Sequence, residues 1–124
     1  MSEMTLDTGA LIALERRRQR VVALLRLARV DGTRVVVPSV CVAEWWRGRT
    51  DDREDILESV LVEHTDDALV RLAGEAIATV PGATCVDALV MASAARRGGV
   101  VVTSDVGDLL RLQRAFPSVR VLGV

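Results

Sequence analysis

Apolar residues fall into two rhythms along this chain. Met4-Thr5-Leu6, Val35-Val36-Val37, Val100-Val101-Val102 and Val119 to Leu122 are short runs without polar alternation. Continuous β-branched runs of this length mark strands covered on both faces, as in a parallel sheet. Between them the apolar positions recur at helical spacing. Ala10 to Leu14 and Val21 to Val30 predict two helices, the second carried by Val21, Leu24, Leu25, Leu27 and Ala28. Further helices are predicted over Val40 to Gly48, Asp51 to Leu61, from a cap at Thr65-Asp66-Asp67 to about Thr79, and Thr84 to Arg97, with another opening near Asp108. Leu61-Val62-Glu63-His64 reads as a short strand or an extended link.

Turn chemistry separates these segments. Asp31-Gly32 and Gly98-Gly99 stop helices, Pro81-Gly82 makes a turn, and Pro38 ends the second strand with Ser39 placed to cap the next helix. Asp51 and Glu54 have the spacing of a capping box, as do Thr84 and Asp87. No Asn-Gly or Asp-Gly joins two strand patterns, so hairpins are not expected. Alternating strands and helices predict an α/β fold with a parallel sheet and right-handed crossovers, in one domain over residues 1–124.

Half of the 124 residues are apolar, enough for one core. Phe116, Trp45 and Trp46 are the only aromatics, so Val, Leu, Ala and Ile are expected to fill it. Adjacent tryptophans cannot share one interior face; one is expected inside and the other at a protein interface. The net charge of −1 announces no polyanion partner. All 16 cations are arginines, and Arg16 to Arg20 form a run expected to be a solvated face, with an RNA-facing patch as the alternative. Cys41 and Cys85 lack metal or disulfide spacing and are expected as buried small residues in a reducing compartment. His64 has no second ligand at metal spacing and is expected to be exposed and structural. Neither a leader nor an apolar run near the about 18 residues of a membrane span is present, which leads to a cytoplasmic expectation.

The acids change the picture. Asp7 and Asp105 each follow an apolar strand, which puts both on the carboxyl edge of a parallel sheet, where ligands bind. Asp87 and Asp108 each fall in the first turn of a helix. Glu44 is the single acid in the apolar stretch VCVAEWWRG. Carboxylates gathered at one rim repel and raise one another's pKa. A hard dication, Mg²⁺ or Mn²⁺, removes that conflict and takes oxygen ligands. Such an ion can hold a phosphodiester and lower the pKa of a water.

DTGALIAL, VAEWWRG, CVDALVMASA and VVTSDVGDL, in this order across almost the whole chain, resemble the PIN domain and within it the VapC type of toxin ribonuclease. The resemblance implies a three-layer α/β/α sandwich around a central parallel sheet. It implies RNA cleavage by metal-assisted hydrolysis, with Asp7, Glu44, Asp87 and Asp105 as the metal-site acids and Asp108 as a supporting one. Thr103 matches a motif hydroxyl that holds a water or a ligand acid. A homodimer and a silencing antitoxin, which places a basic side chain near the acids, are the implied partners. The last motif departs from the family pattern: Val106-Gly107 intervenes and Leu109 stands where an aromatic is common, a residue still expected to pack.

Two other functions fit parts of the pattern. A haloacid-dehalogenase-like phosphatase also uses acids at strand ends but needs a second Asp two residues after the first, where this chain has Gly9. A non-catalytic binding or assembly module would use the same acids only as helix caps and ion pairs.

Overall fold

A computed structural model describes residues 3–124. The elements run β1 (Glu3–Leu6), α1 (Thr8–Glu15), α2 (Gln19–Asp31), β2 (Arg34–Pro38), α3 (Ser39–Trp45), α4 (Asp51–Glu58) and β3 (Leu61–Glu63). They continue α5 (Asp67–Thr79), α6 (Cys85–Arg97), β4 (Val100–Thr103), α7 (Val106–Leu112) and β5 (Arg120–Gly123). All strand pairs are parallel, in the order β3-β2-β1-β4-β5. This is the predicted sandwich. Crossovers step outward from β1 to β2 to β3, then jump back to β4 and on to β5. With right-handed connections the two directions place their helices on opposite faces. The reversal falls between β1 and β4, and an open sheet has its crevice at such a point.

The central strands explain the choice of residues. Val36, Val37, Val101 and Val102 are at most 1% exposed, because helices cover both faces and leave no place for polar alternation. Helix α6 is enclosed as well. It lies between the sheet and α5, and every residue from Ala88 to Ala94 is buried. Gly32 and Gly98, at φ 68° and 69°, end α2 and α6 in the left-handed region that an unbranched backbone reaches freely.

Several local expectations shift. Thr50, not Asp51, caps α4 by accepting from the Arg53 N–H, and with Arg53 in place of an acid no capping box forms. Pro38 is the last residue of β2 and also holds the cap position of α3, leaving Ser39 as the first helical residue with no capping bond. No isoleucine is buried among the described residues, and Ile12 and Ile77 are exposed; Val, Leu, Ala and Met make the core with Phe116 and Trp45. Cys41 is buried as expected, but Cys85 is exposed, since it opens α6 before the helix passes under α5. Trp45 packs inside and donates Nε1–H to Glu15 Oε1 at 2.9 Å, while Trp46 is half-buried against it edge-on. His64 is exposed.

Polar groups inside the fold are tied together. Arg97, the last residue of α6, reaches Glu3 of β1 and Glu63 of β3, and donates to the hydroxyls of buried Thr5 and Ser93. Ser93 in turn donates to Glu63 at 2.5 Å. At the surface Arg96 clamps Asp66 through two bonds of 2.8 and 2.7 Å. That clamp holds the Asp66 carboxyl down to about 2 and ties the start of α5 to the end of α6.

Candidate metal centre

Leu6 pairs with Val102, and the Asp7 N–H donates to the Val102 carbonyl at 3.3 Å. Asp7 therefore leaves β1 beside the end of β4, at the reversal in strand order. It caps α1 by accepting from the Ala10 N–H at 2.9 Å and is 8% exposed. Thr103 ends β4, 1% exposed. Its hydroxyl accepts from the Asp105 N–H at 3.0 Å, and its nearness to the Asp7 carboxyl favours that group's ionised form. One buried hydroxyl thus lies close to two acids about a hundred residues apart along the chain.

Asp105 occupies the cap position of α7 without making a side-chain capping bond, so its exposed carboxylate is not spent on that helix. Asp87 is half-buried in the first turn of α6, whose cap Thr84 accepts from the Asp87 N–H at 3.2 Å. Glu44 lies in the last turn of α3, exposed, and receives the Thr8 hydroxyl at 2.6 Å. Asp108 pairs with Arg111 at 2.6 Å.

Electrostatics joins these side chains. Burial pushes the Asp7 carboxyl above the usual range, with the Thr103 hydroxyl and the Ala10 N–H opposing and the Asp87 charge adding to the push. Asp87 is raised first by burial and then by the charges of Asp108, Asp105 and Glu44, with the Thr84 hydroxyl opposing. The thiol of Cys41, beneath the same rim, is pushed up to about 12 by burial and by the charges of Asp7 and Glu44. Five acids from four separate stretches therefore sense one another across one edge of the sheet. Among the described residues no arginine pairs with Asp7, Glu44, Asp87 or Asp105.

An all-oxygen donor set with unbalanced negative charge suits Mg²⁺ or Mn²⁺ and no softer metal. The donors are not drawn into a finished cage: among the described residues no three His, Cys, Asp or Glu side chains stand in metal-binding array. Glu44 leans on Thr8, Asp7 on its helix and Asp108 on Arg111, so closing around an ion requires side-chain rotation.

The exposed Arg16 to Arg20 run lies at the far end of α1 from Asp7, about 12 Å of helix away. It covers the exposed turn between α1 and α2, in which Arg17 takes φ 56°, and the first two residues of α2.

Sequence reading used Gly9 only against the phosphatase alternative and gave Ser104 no role. A Cβ on Gly9 would stand 2.1 Å from Ser104 Oγ and 3.3 Å from its backbone nitrogen. The bare α-carbon lets the β4 end lie against the start of α1, keeping Asp7 and Asp105 on one rim. Gly9→Ala is expected to push that loop away and to destabilise by about 1–2 kcal/mol, as overpacking does. A thermal melt indistinguishable from the parent would contradict this.

A model of the PIN domain matches residues 4–114. No curated protein sequence matches the chain. Solved structures do. VapBC from Salmonella typhimurium, bound to DNA, is 18% identical with a TM-score of 0.77, over 99% of this chain and 98% of the other. VapBC2 from Rickettsia felis, bound to a promoter DNA fragment, is 12% identical with a TM-score of 0.80, over 98% of both chains. FitAcB from Neisseria gonorrhoeae is 19% identical with a TM-score of 0.65, over 97% of this chain and 96% of that one.

Proposed function

The chain belongs to the PIN domain family, and from that membership we propose that it is a Mg²⁺- or Mn²⁺-dependent endoribonuclease, a toxin of the VapC type. The observation that carries this reading is the unneutralised acidic rim at the strand reversal. Asp7 and Asp87 sit above their ordinary range there because burial and their neighbours' charges oppose ionisation. Asp7, Glu44, Asp87 and Asp105 hold the ion, and Asp108 supports it from the first turn of α7. Thr103 holds the Asp105 backbone near Asp7 by accepting its N–H. When bound, the cation supplies positive charge to the scissile phosphate and lowers the pKa of water. The acids alone would repel an RNA backbone, so this chain's own contribution is to concentrate donors and hold them at one depth.

RNA fits the role of substrate better than a small phosphomonoester. Gly9 stands where a phosphatase of the haloacid-dehalogenase type needs its second Asp. The VapBC and FitAcB chains named above support a second, antitoxin component, which silences the site by bringing a cation to the same acids. Trp45 is spent in the core, so Trp46 is the tryptophan left for an antitoxin or for the second copy of a homodimer. We place the protein in the cytoplasm with its RNA; among the described residues no helix is long and apolar enough to cross a membrane.

The test uses protein freed of any partner, labelled RNA, and Mg²⁺ or Mn²⁺ followed by EDTA. Cutting is expected with metal and not with chelator. Metal is also expected to raise the melting midpoint, since an ion at about a hundredfold its dissociation constant adds about 2.7 kcal/mol to the folded state. Intact RNA and an unmoved midpoint at millimolar metal would leave the assembly-module reading, in which Asp7 only caps α1 and Asp108 only pairs with Arg111.

A further inference from the structure

Of the five acids, Glu44 alone has the longer glutamate side chain. It belongs to the last turn of α3, a seven-residue helix whose next residues carry no regular structure. It is exposed, and among the described residues no arginine side chain pairs with its carboxylate; Arg47 bonds only its backbone carbonyl. A long side chain in that position samples several rotamers, and only some of them face the rim.

One contact selects among them. The Thr8 hydroxyl donates to Glu44 Oε1 at 2.6 Å, the short distance of a bond to an ionised acceptor. Thr8 is itself well fixed. It is the first residue of α1, directly after Asp7, and is half-buried. Cys41, buried one turn before Glu44 on the same helix, fixes that part of α3 in the core close to Thr8. The residue next to the first acid thus anchors the acid from a separate helix.

We infer that Thr8 is a positioning residue of the metal centre, and that it acts by holding the Glu44 carboxylate toward Asp7 through its hydroxyl. The inference rests on the proposed metal site. Outer partners of metal ligands commonly matter by about 10–100-fold in affinity, and the single bond here is expected at the lower end.

Mn²⁺ titration followed by electron paramagnetic resonance on the full chain tests it without relying on RNA cleavage. Thr8→Val, which keeps the shape and loses the hydroxyl, is expected to weaken Mn²⁺ binding about 10-fold with a melting midpoint within a degree or two of the parent. Thr8→Ser is expected to restore most of the affinity. In a Glu44→Gln background the Thr8→Val change is expected to add nothing, because a residue acting through Glu44 has nothing left to hold. Wild-type affinity in Thr8→Val, failure of Ser to rescue, or full additivity with Glu44→Gln each overturns the positioning role while the metal site stands. If the wild type takes up no Mn²⁺, the metal centre itself falls and this role with it.

Discussion

Asp7→Asn is expected to abolish metal-dependent RNA cleavage while making the metal-free protein more stable. The loss should reach at least about 100-fold, since even the outer partners of metal ligands can cost that much. Asn keeps one oxygen, which can still accept from the Ala10 N–H, so the cap of α1 survives. What it lacks is the charge. The gain in stability comes from linkage. In the folded protein Asp7 holds its proton more tightly than in the unfolded chain, because burial and the Asp87 charge oppose ionisation. Between the ordinary carboxylate value and the raised one the folded state binds more protons, so stability falls as pH rises through that window. Asp7→Asn removes this part of the fall, and its advantage over the parent is largest above the window, at neutral pH. Added Mg²⁺ is expected to reverse the order, stabilising only the parent. Melting curves from pH 4 to 8, with and without metal, read all of this; an Asn variant that cuts RNA at the parental rate would remove Asp7 from the site.

Arg97→Met is expected to cost about 3 kcal/mol, the lower end of the range for removing one partner of a buried ion pair. Arg97, Glu3 and Glu63 are 13, 17 and 19% exposed in their side chains, so water softens the loss without cancelling it. Without the guanidinium, two carboxylates face each other beside the hydroxyls of Thr5 and Ser93, which are at most 1% exposed. β3 has only three residues and sits at the sheet edge, so its attachment should loosen first. For a chain of this length the midpoint should drop by about 10 °C. Adding Glu3→Gln and Glu63→Gln should recover much of the loss, because the penalty comes from stranded charge and not from missing attraction. An unfolding free energy from denaturant titration within about 1 kcal/mol of the parent, or no recovery in the triple variant, would show that the three side chains do not act as a unit.

The two sites are linked by α6. Its first turn carries Asp87 to the acidic rim, and its last residue is Arg97. With seven successive residues enclosed, the helix has no soft side along which Asp87 could be moved without disturbing the core. Rigidity of this kind suits a donor that must stay near other donors despite repulsion.

Much of this was readable in the order of residues. The valine runs announced a covered parallel sheet, because only a strand shielded on both faces has no use for polar alternation. Asp7 and Asp105 could be assigned to one edge, since every strand of such a sheet ends on the same side. Local capping was less secure: Thr50 displaced Asp51, and Cys85 came out exposed, because one residue of phase decides which way a helical side chain points. Pairing across the chain was not readable at all. Which hydroxyl holds Glu44, that Gly9 must stay bare for Ser104, and that Arg97 gathers Glu3 and Glu63 all depend on strand order and helix placement. Those contacts join residues 30 or more positions apart, and no local spacing encodes them. The identity of the chemistry lay in the residue types, whereas the distances that make the types cooperate came from packing.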